Sequence, residues 1–301
     1  MVGSSFLRTA PQDVELIVAG RNELDITNVI QMQKFLEVKQ PDLVILAAAK
    51  VGGIAANSQN QKDFLFKNLE IQQSVITAAD NAGIDNFIFL GSSCVYPRLA
   101  NQPIKESSLL SGPLEPTNEG YAVAKITGIK MCEAVAKKDG KNFFSVMPSN
   151  LFGPNDNFDL QSSHVPAALL RKFHDAVSQG DSTVRVWGTG EPYREFMYVD
   201  NFTRACWFLA RKNLPGELIN VGTGSDLKIK DFAEMIARVT SFSGEIEFDL
   251  SKPDGSPRKL LDISRIRALG WDLDSNLEQE LIATYTWLKW ALREGVVRGY
   301  K

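Results

Sequence analysis

Three apolar runs in the first half of the chain constrain its fold more than any other feature. DLVILAAA (42–49), NFIFLGSS (86–93) and NFFSVMPSNLFG (142–153) each carry consecutive hydrophobic residues without alternation. A strand reads that way when both of its faces are covered, which is the situation of a parallel sheet between helical layers. VELIVAG (14–20) reads as a strand preceding them. Amphipathic helices are expected at 25–40, at 63–83 with a stop at Gly83, and at 119–139. Repeated strand–helix–strand order predicts parallel strands joined by right-handed crossovers, hence an α/β, doubly wound parallel sheet.

The alternation breaks after Gly153. The stretch 154–195 reads as a helix (165–180), a short strand (183–188) and loops rich in Gly, Pro and Asp. Residues 196–212 and 217–222 then resume as a helix and a strand, and the chain from about Ser225 reads helix–strand–loop–helix. The expected division is a Rossmann-type dinucleotide-binding domain from 1–153 and about 196–224. A smaller, discontinuous substrate domain is expected from about 154–195 and 225–301, and 301 residues suffice for two cores sharing a cleft.

The beginning of the chain departs from that scheme. A Rossmann-type sheet opens with a strand leading into Gly-x-x-Gly-x-x-Gly, and Met1-Val2-Gly3-Ser4-Ser5-Phe6 matches only the tail of such a loop. The expected first strand belongs mid-sheet, between 14–20 and 42–49. It would bury four or five apolar side chains, worth roughly 6–15 kcal/mol, as much as the whole stability of many domains. The expectation is that about 15 upstream residues ending in Gly-x-x-Gly belong to the working protein, and that the chain as it stands is poorly stable and weakly active, with a weakened hold on a dinucleotide.

Composition narrows the class of function. Lys plus Arg number 33 against 36 Asp plus Glu, so no basic excess points to nucleic acid or an anionic membrane. Cys94, Cys132 and Cys206 lie far apart, and with two histidines they form neither a disulfide framework nor a zinc pattern. No apolar run approaches about 18 residues and no cationic leader precedes one. The reading is a cytoplasmic soluble enzyme without a metal.

Tyr121 and Lys125, four apart on one predicted helix, share a face. Ser92 follows directly after a predicted strand, where open α/β sheets bind ligands. An ammonium about 5 Å from a phenol, at an effective dielectric near 20, is worth roughly 3 kcal/mol. That is about two pKa units, enough to bring the phenol towards working pH. Cys94, two residues past Ser92, suits either a stabilised thiolate or a small buried side chain. His164 sits in a polar loop before a helix, which suits a titrating group better than a core position. His174, mid-helix, reads as packing, and Cys132 and Cys206 read as core.

Five ordered pieces carry a resemblance: AAAKVGGIAAN (47–57), LGSSCVYP (90–97), LEPTNEGYAVAKI (114–126), MPSNLFGPNDNF (147–158) and SKPDGSPRKLLD (251–262). From Met1 to about residue 290 the chain resembles the extended short-chain dehydrogenase/reductase family. Within it, the similarity is to the branch that makes GDP-L-fucose from GDP-4-keto-6-deoxy-D-mannose with NADPH. The resemblance implies C3 and C5 epimerisation through enolates, with Cys94 as base and His164 as acid, followed by reduction at C4 by the Ser92, Tyr121 and Lys125 set. It implies an NADP(H) site from Gly3, Arg21, Asn22, Glu23, Leu24, Asp25, Ile26 and Ala48. Leu90, Gly91, Ser92, Ser93, Lys125, Pro148, Ser149, Asn150, Leu151 and His164 complete that site. An arginine at the second strand's end, where NAD enzymes carry an acid, favours a 2′-phosphate. For the GDP-sugar the resemblance implies Lys172, Trp187, Arg194, Asp254 and Arg258, and for assembly a homodimer through helices 63–83 and 119–139. Two other readings remain open at this level: a 4-epimerase or 4-keto reductase of the same family, and an inactive remnant lacking its cofactor loop.

Overall fold

The structure is a computed structural model and describes residues 1–300. The chain opens with helices α1 (Val2–Thr9) and α2 (Val29–Lys39), the latter capped by Asn28, whose side-chain oxygen accepts from the Ile30 and Gln31 amides. Strand β1 (Val44–Leu46) leads into the short α3 (Ile54–Gln59) and the long α4 (Gln61–Asn81), after which Gly83 takes a positive φ. Strand β2 (Asn86–Leu90), helix α5 (Glu119–Asp139) and strand β3 (Asn142–Pro148) follow. Strand β4 (Asn150–Phe152) and helix α6 (Val165–Gln179) come next, then β5 (Thr183–Trp187), β6 (Tyr193–Arg194) and β7 (Phe196–Tyr198). The order continues with α7 (Val199–Leu209), β8 (Leu218–Val221), β9 (Leu227–Lys228), α8 (Ile229–Thr240) and β10 (Glu245–Asp249). It ends with β11 (Arg258–Lys259), α9 (Ser264–Ala268) and α10 (Leu277–Arg293).

The main sheet is parallel throughout, in the order β1–β2–β3–β8. Its strands are as apolar as their sequences require: Phe87, Ile88, Phe89, Phe143, Phe144 and Val146 are fully buried. Phe87 and Phe143 stack across the β2–β3 ladder at 5.0 Å. Helix α5 lies close on this sheet because Gly128 faces the Phe89 ring, where a β-carbon would collide. That close approach fixes how far Tyr121 and Lys125 stand from the end of β2.

Three expectations are corrected. Residues 14–20 form no strand, and Leu16, Ile17 and Val18 are exposed. A strand exists through its ladder, and among the described residues 14–20 joins none, while β1 pairs with β2 alone and is the edge of its sheet. The run 142–153 is two strands in two sheets, since β4 turns away at Ser149 to pair with β7. The start of 196–212 is accordingly strand β7 rather than helix, and α7 begins at Val199.

A second apolar cluster lies beyond the ends of the sheet. Phe152, Leu170, Phe173, Val184, Phe196, Phe232, Ile236 and Leu288 form its centre, with Phe196 stacked on Phe232 at 4.0 Å. Around it sit the parallel β5–β10 pair and the β11–β6–β9 sheet. Leu261, Ile263 and Ile266 return to the first cluster, so the chain passes between the two cores more than once. No helix among the described residues is long and apolar enough to cross a membrane.

Candidate active site

The C-terminal end of β2 is the focus of the site. Gly91 sits so close to Met147 that a side chain would collide with its sulfur. Ser92 begins a single 3-10 turn (Ser93–Val95), and its hydroxyl accepts from the Cys94 amide at 3.4 Å. Tyr121, one turn into α5, is hydrogen-bonded to the Ser92 side chain and lies close enough to Cys94 to feel its charge. Three of the residues named from sequence, on two elements, are thus brought together.

Lys125 behaves differently from the expectation. Its ammonium donates to the Leu90 carbonyl at 2.7 Å and lies 4.7 Å over the Phe89 ring, 5.9 Å from the centre of the Tyr121 ring. Burial lowers its pKa to about 8. Burial likewise raises the Tyr121 hydroxyl above its ordinary value, with Cys94 adding to the rise and the Ser92 bond opposing it. The predicted lowering of the phenol by Lys125 is therefore corrected, because desolvation of both groups outweighs their mutual attraction here. The consequence is chemical: Tyr121 is held protonated, the form of a proton donor.

Cys94 is half-buried, and its Sγ accepts a hydrogen bond from Asn118 Nδ2 at 3.1 Å. Arg194 lies within electrostatic range of it. His164 is exposed at the N-terminal boundary of α6, and its side chain makes no cap bond there. Its loop is held against the α3 segment by a bond from the Gly53 amide to the Ser162 carbonyl at 2.8 Å. Beside it the buried Asp156 has its pKa raised by burial, an effect His164 opposes. His174 bonds Tyr285 Oη at 3.1 Å as a packing residue, and Cys132 and Cys206 are buried.

The residues expected to hold a dinucleotide come from several separate segments. Arg21 is exposed in the Gly20–Leu24 turn, and its guanidinium carries no ion pair among the described residues. Glu23 is turned back on the Gly20 amide at 2.7 Å, Asp25 accepts from Thr27, and Leu24 and Ile26 pack on the core. Ala48 lies just past β1, and Gly3 is in the second residue position of α1. Pro148 ends β3, Asn150 Nδ2 donates to the Glu195 carbonyl at 2.8 Å, and Leu151 is half-buried. Ser149 Oγ is buried without a partner. A free guanidinium at the turn and an unpaired hydroxyl at the sheet edge both fit a nicotinamide dinucleotide bearing a 2′-phosphate.

Trp187 is half exposed between two ammonium groups, Lys172 at 5.1 Å and Lys252 at 5.4 Å from its ring centre. Lys172 also donates to the Arg185 carbonyl at 2.8 Å. Arg194 donates to the carbonyls of Tyr193 and Asp254 at 2.7 and 3.3 Å. Asp254 holds Thr189 through its amide and hydroxyl, at 2.7 and 2.8 Å. Gly188 (φ 81°) leaves the space that Asp254 Oδ1 fills. Asp254 thus ties the 251–257 loop to the end of β5. Arg258 is committed to Asp226 through two nitrogens at 2.6 and 3.0 Å.

Two residues of consequence went unnamed from sequence. Asn118 bonds the Cys94 sulfur, and Glu195, fully buried, accepts from the amides of Thr223, Gly224 and Leu261 at 2.6, 2.7 and 2.9 Å.

Known proteins resemble this chain in sequence and in fold. The family model described as "NAD dependent epimerase/dehydratase family" matches residues 1–222. A GDP-L-fucose synthase of Sinorhizobium fredii is 48% identical over 286 residues, covering 95% of this chain and 91% of that protein. A GDP-6-OMe-4-keto-L-xylo-heptose reductase of C. jejuni superposes with a TM-score of 0.88 at 32% identity, covering 96% of this chain and 94% of that one. A GDP-L-fucose synthetase from Naegleria fowleri bound to NADP superposes with a TM-score of 0.84 at 27% identity, covering 94% and 86%. With a matching model over most of its length and a relative of this similarity, the chain belongs to the NAD dependent epimerase/dehydratase family.

Proposed function

We propose that the protein converts GDP-4-keto-6-deoxy-D-mannose to GDP-L-fucose, using NADPH, by epimerising C3 and C5 and then reducing C4. The similarity to GDP-L-fucose synthases supports the substrate. The single observation that carries the chemistry is the meeting of a thiol with a Ser–Tyr–Lys set at one strand end. A simple 4-reductase needs the set but not the thiol.

The C4 ketone acidifies the C–H bonds at C3 and C5. The Cys94 thiolate takes a proton onto sulfur, the C–H pair becomes the enolate C=C bond as the C4 carbonyl pair moves onto oxygen, and His164 returns a proton to the opposite face. The thiol then gives its proton to solvent and His164 takes one up before the second carbon is inverted. Tyr121, kept protonated by its buried position, then gives its proton to O4, and Ser92 holds that oxygen in line. NADPH, when bound, supplies the hydride to C4. Arg21 and Ser149 are the residues suited to it. Arg194 suits the diphosphate, and Trp187 with its two lysines suits the guanine face. The two apolar clusters serve in this reading as the cofactor half and the substrate half, with the site between them.

Cys94→Ser and His164→Asn should each cut solvent-deuterium exchange at C3 and C5 by roughly 10²–10⁴-fold, with NADPH affinity unchanged. Either variant exchanging at the parental rate would remove that residue from its role. We also propose a cytoplasmic homodimer through the outer faces of α4 and α5, where Phe66 and Val123 are exposed. Sedimentation velocity at micromolar concentration should give twice the mass of one chain, and a monomer would count against it.

A further inference from the structure

Asn118 occupies the N-terminal boundary of α5, three residues before Tyr121. Asparagine there ordinarily turns its side-chain oxygen onto the free amides of the first turn. Here it makes no such bond. The amide of Gly120 is satisfied instead from α4, by Gln61 Oε1 at 3.0 Å. The Asn118 side chain is thereby released from its helix, and its Nδ2 donates to Cys94 Sγ at 3.1 Å. Its Oδ1 is left buried without a partner. An asparagine that forgoes its cap and buries an unpaired carbonyl gains nothing for the fold by doing so. The one strong contact it makes is to the sulfur.

We propose that Asn118 is a positioning residue for Cys94: its amide N–H holds the sulfur in place and favours the thiolate over the thiol. The proposal rests on the reading of Cys94 as the base. When sulfur takes the proton from C3 or C5, the charge that Asn118 supports passes to the enolate oxygen. The thiol gives that proton to solvent before the next abstraction, and the same N–H supports the sulfur anion left behind. Tyr121 and Arg194 are the other groups near the sulfur. Tyr121, held protonated, brings no negative charge to compete for Asn118.

Iodoacetamide reads this directly, because thiolate is the reacting form and Cys132 and Cys206 are buried. Two variants of nearly unchanged size separate a role at the sulfur from a structural one. Asn118→Leu removes the donor and also the orphaned carbonyl, so it should keep or raise the melting temperature. Asn118→Asp removes the donor, keeps a residue able to cap α5, and sets a carboxylate beside the sulfur. Alkylation of Cys94 at neutral pH should slow about tenfold in the first and further in the second. Exchange at C3 and C5 should fall with it in kcat, and NADPH affinity should not change. Asn118→Leu alkylated at the parental rate would overturn the proposal, as would slowing that merely follows a lost melting temperature. The reading beneath it fails separately: if Cys94→Ser still exchanges deuterium normally, Cys94 is not the base, while the alkylation rates still decide what Asn118 does to the sulfur.

Discussion

Tyr121→Phe is expected to lower NADPH oxidation on the keto-sugar by roughly 10²–10⁴-fold, the usual worth of a positioned proton donor. The ring stays in place, packed edge-on against Phe64 with centroids 6.4 Å apart, so the fold should be untouched. What is lost is the hydroxyl that Ser92 orients and that burial and the neighbouring Cys94 keep protonated. Cys94 and His164 remain, so deuterium should still enter C3 and C5. Single-turnover absorbance in the NADPH band separates the steps. Near-normal oxidation in the variant would take Tyr121 out of the reductive step.

The second large effect concerns stability. Glu195→Ala should remove about 3–9 kcal/mol, because the amides of Thr223, Gly224 and Leu261 would each lose a buried acceptor at about 1–3 kcal/mol apiece. The carboxylate joins the end of β8 to the segment after β11, and the Glu195 carbonyl also receives the Asn150 side chain. Its loss loosens both clusters at their seam and with them the neighbouring Arg194. Thermal unfolding should show a fall on the order of 10 °C or more. Glu195→Gln should lie between, since it keeps one acceptor but turns an NH₂ group towards an amide. A melting temperature within about 2 °C of the parent in the alanine variant would show that water or another side chain replaces the carboxylate.

How much of this was legible in the sequence follows from the range of each interaction. The buried strands declared themselves because covered faces on both sides leave only apolar residues, as at Phe87-Ile88-Phe89. Helix α5 was legible to the residue, from Glu119 to Asp139, because its period and the glycine that follows it are local. Tyr121 and Lys125 were legible as a pair for the same reason. The strand expected at 14–20 was not, because its apolar run is only a capacity to pair, and pairing depends on a partner distant in sequence. The division of 142–153 at Ser149 was hidden likewise, since β4 answers to β7 some 45 residues on. Asn118 and Glu195 look ordinary in sequence, an asparagine before a helix and a glutamate beside an arginine. Their partners lie 24 residues away for Asn118 and 28, 29 and 66 residues away for Glu195. The sign of the pKa shift at Tyr121 could not be read from spacing either, because it depends on how deeply α5 sinks onto β2 at Gly128.

The central claim is that one site carries both a carbon acid–base pair and a ketone reductase. Incubating the protein with GDP-4-keto-6-deoxy-D-mannose and NADPH in deuterium oxide tests it in one product spectrum. The account predicts GDP-L-fucose with solvent deuterium at C3 and C5, and at C4 the hydrogen delivered by NADPH. A reduced sugar of unchanged C3 and C5 configuration, free of deuterium at both positions, would contradict it and leave the site a reductase alone.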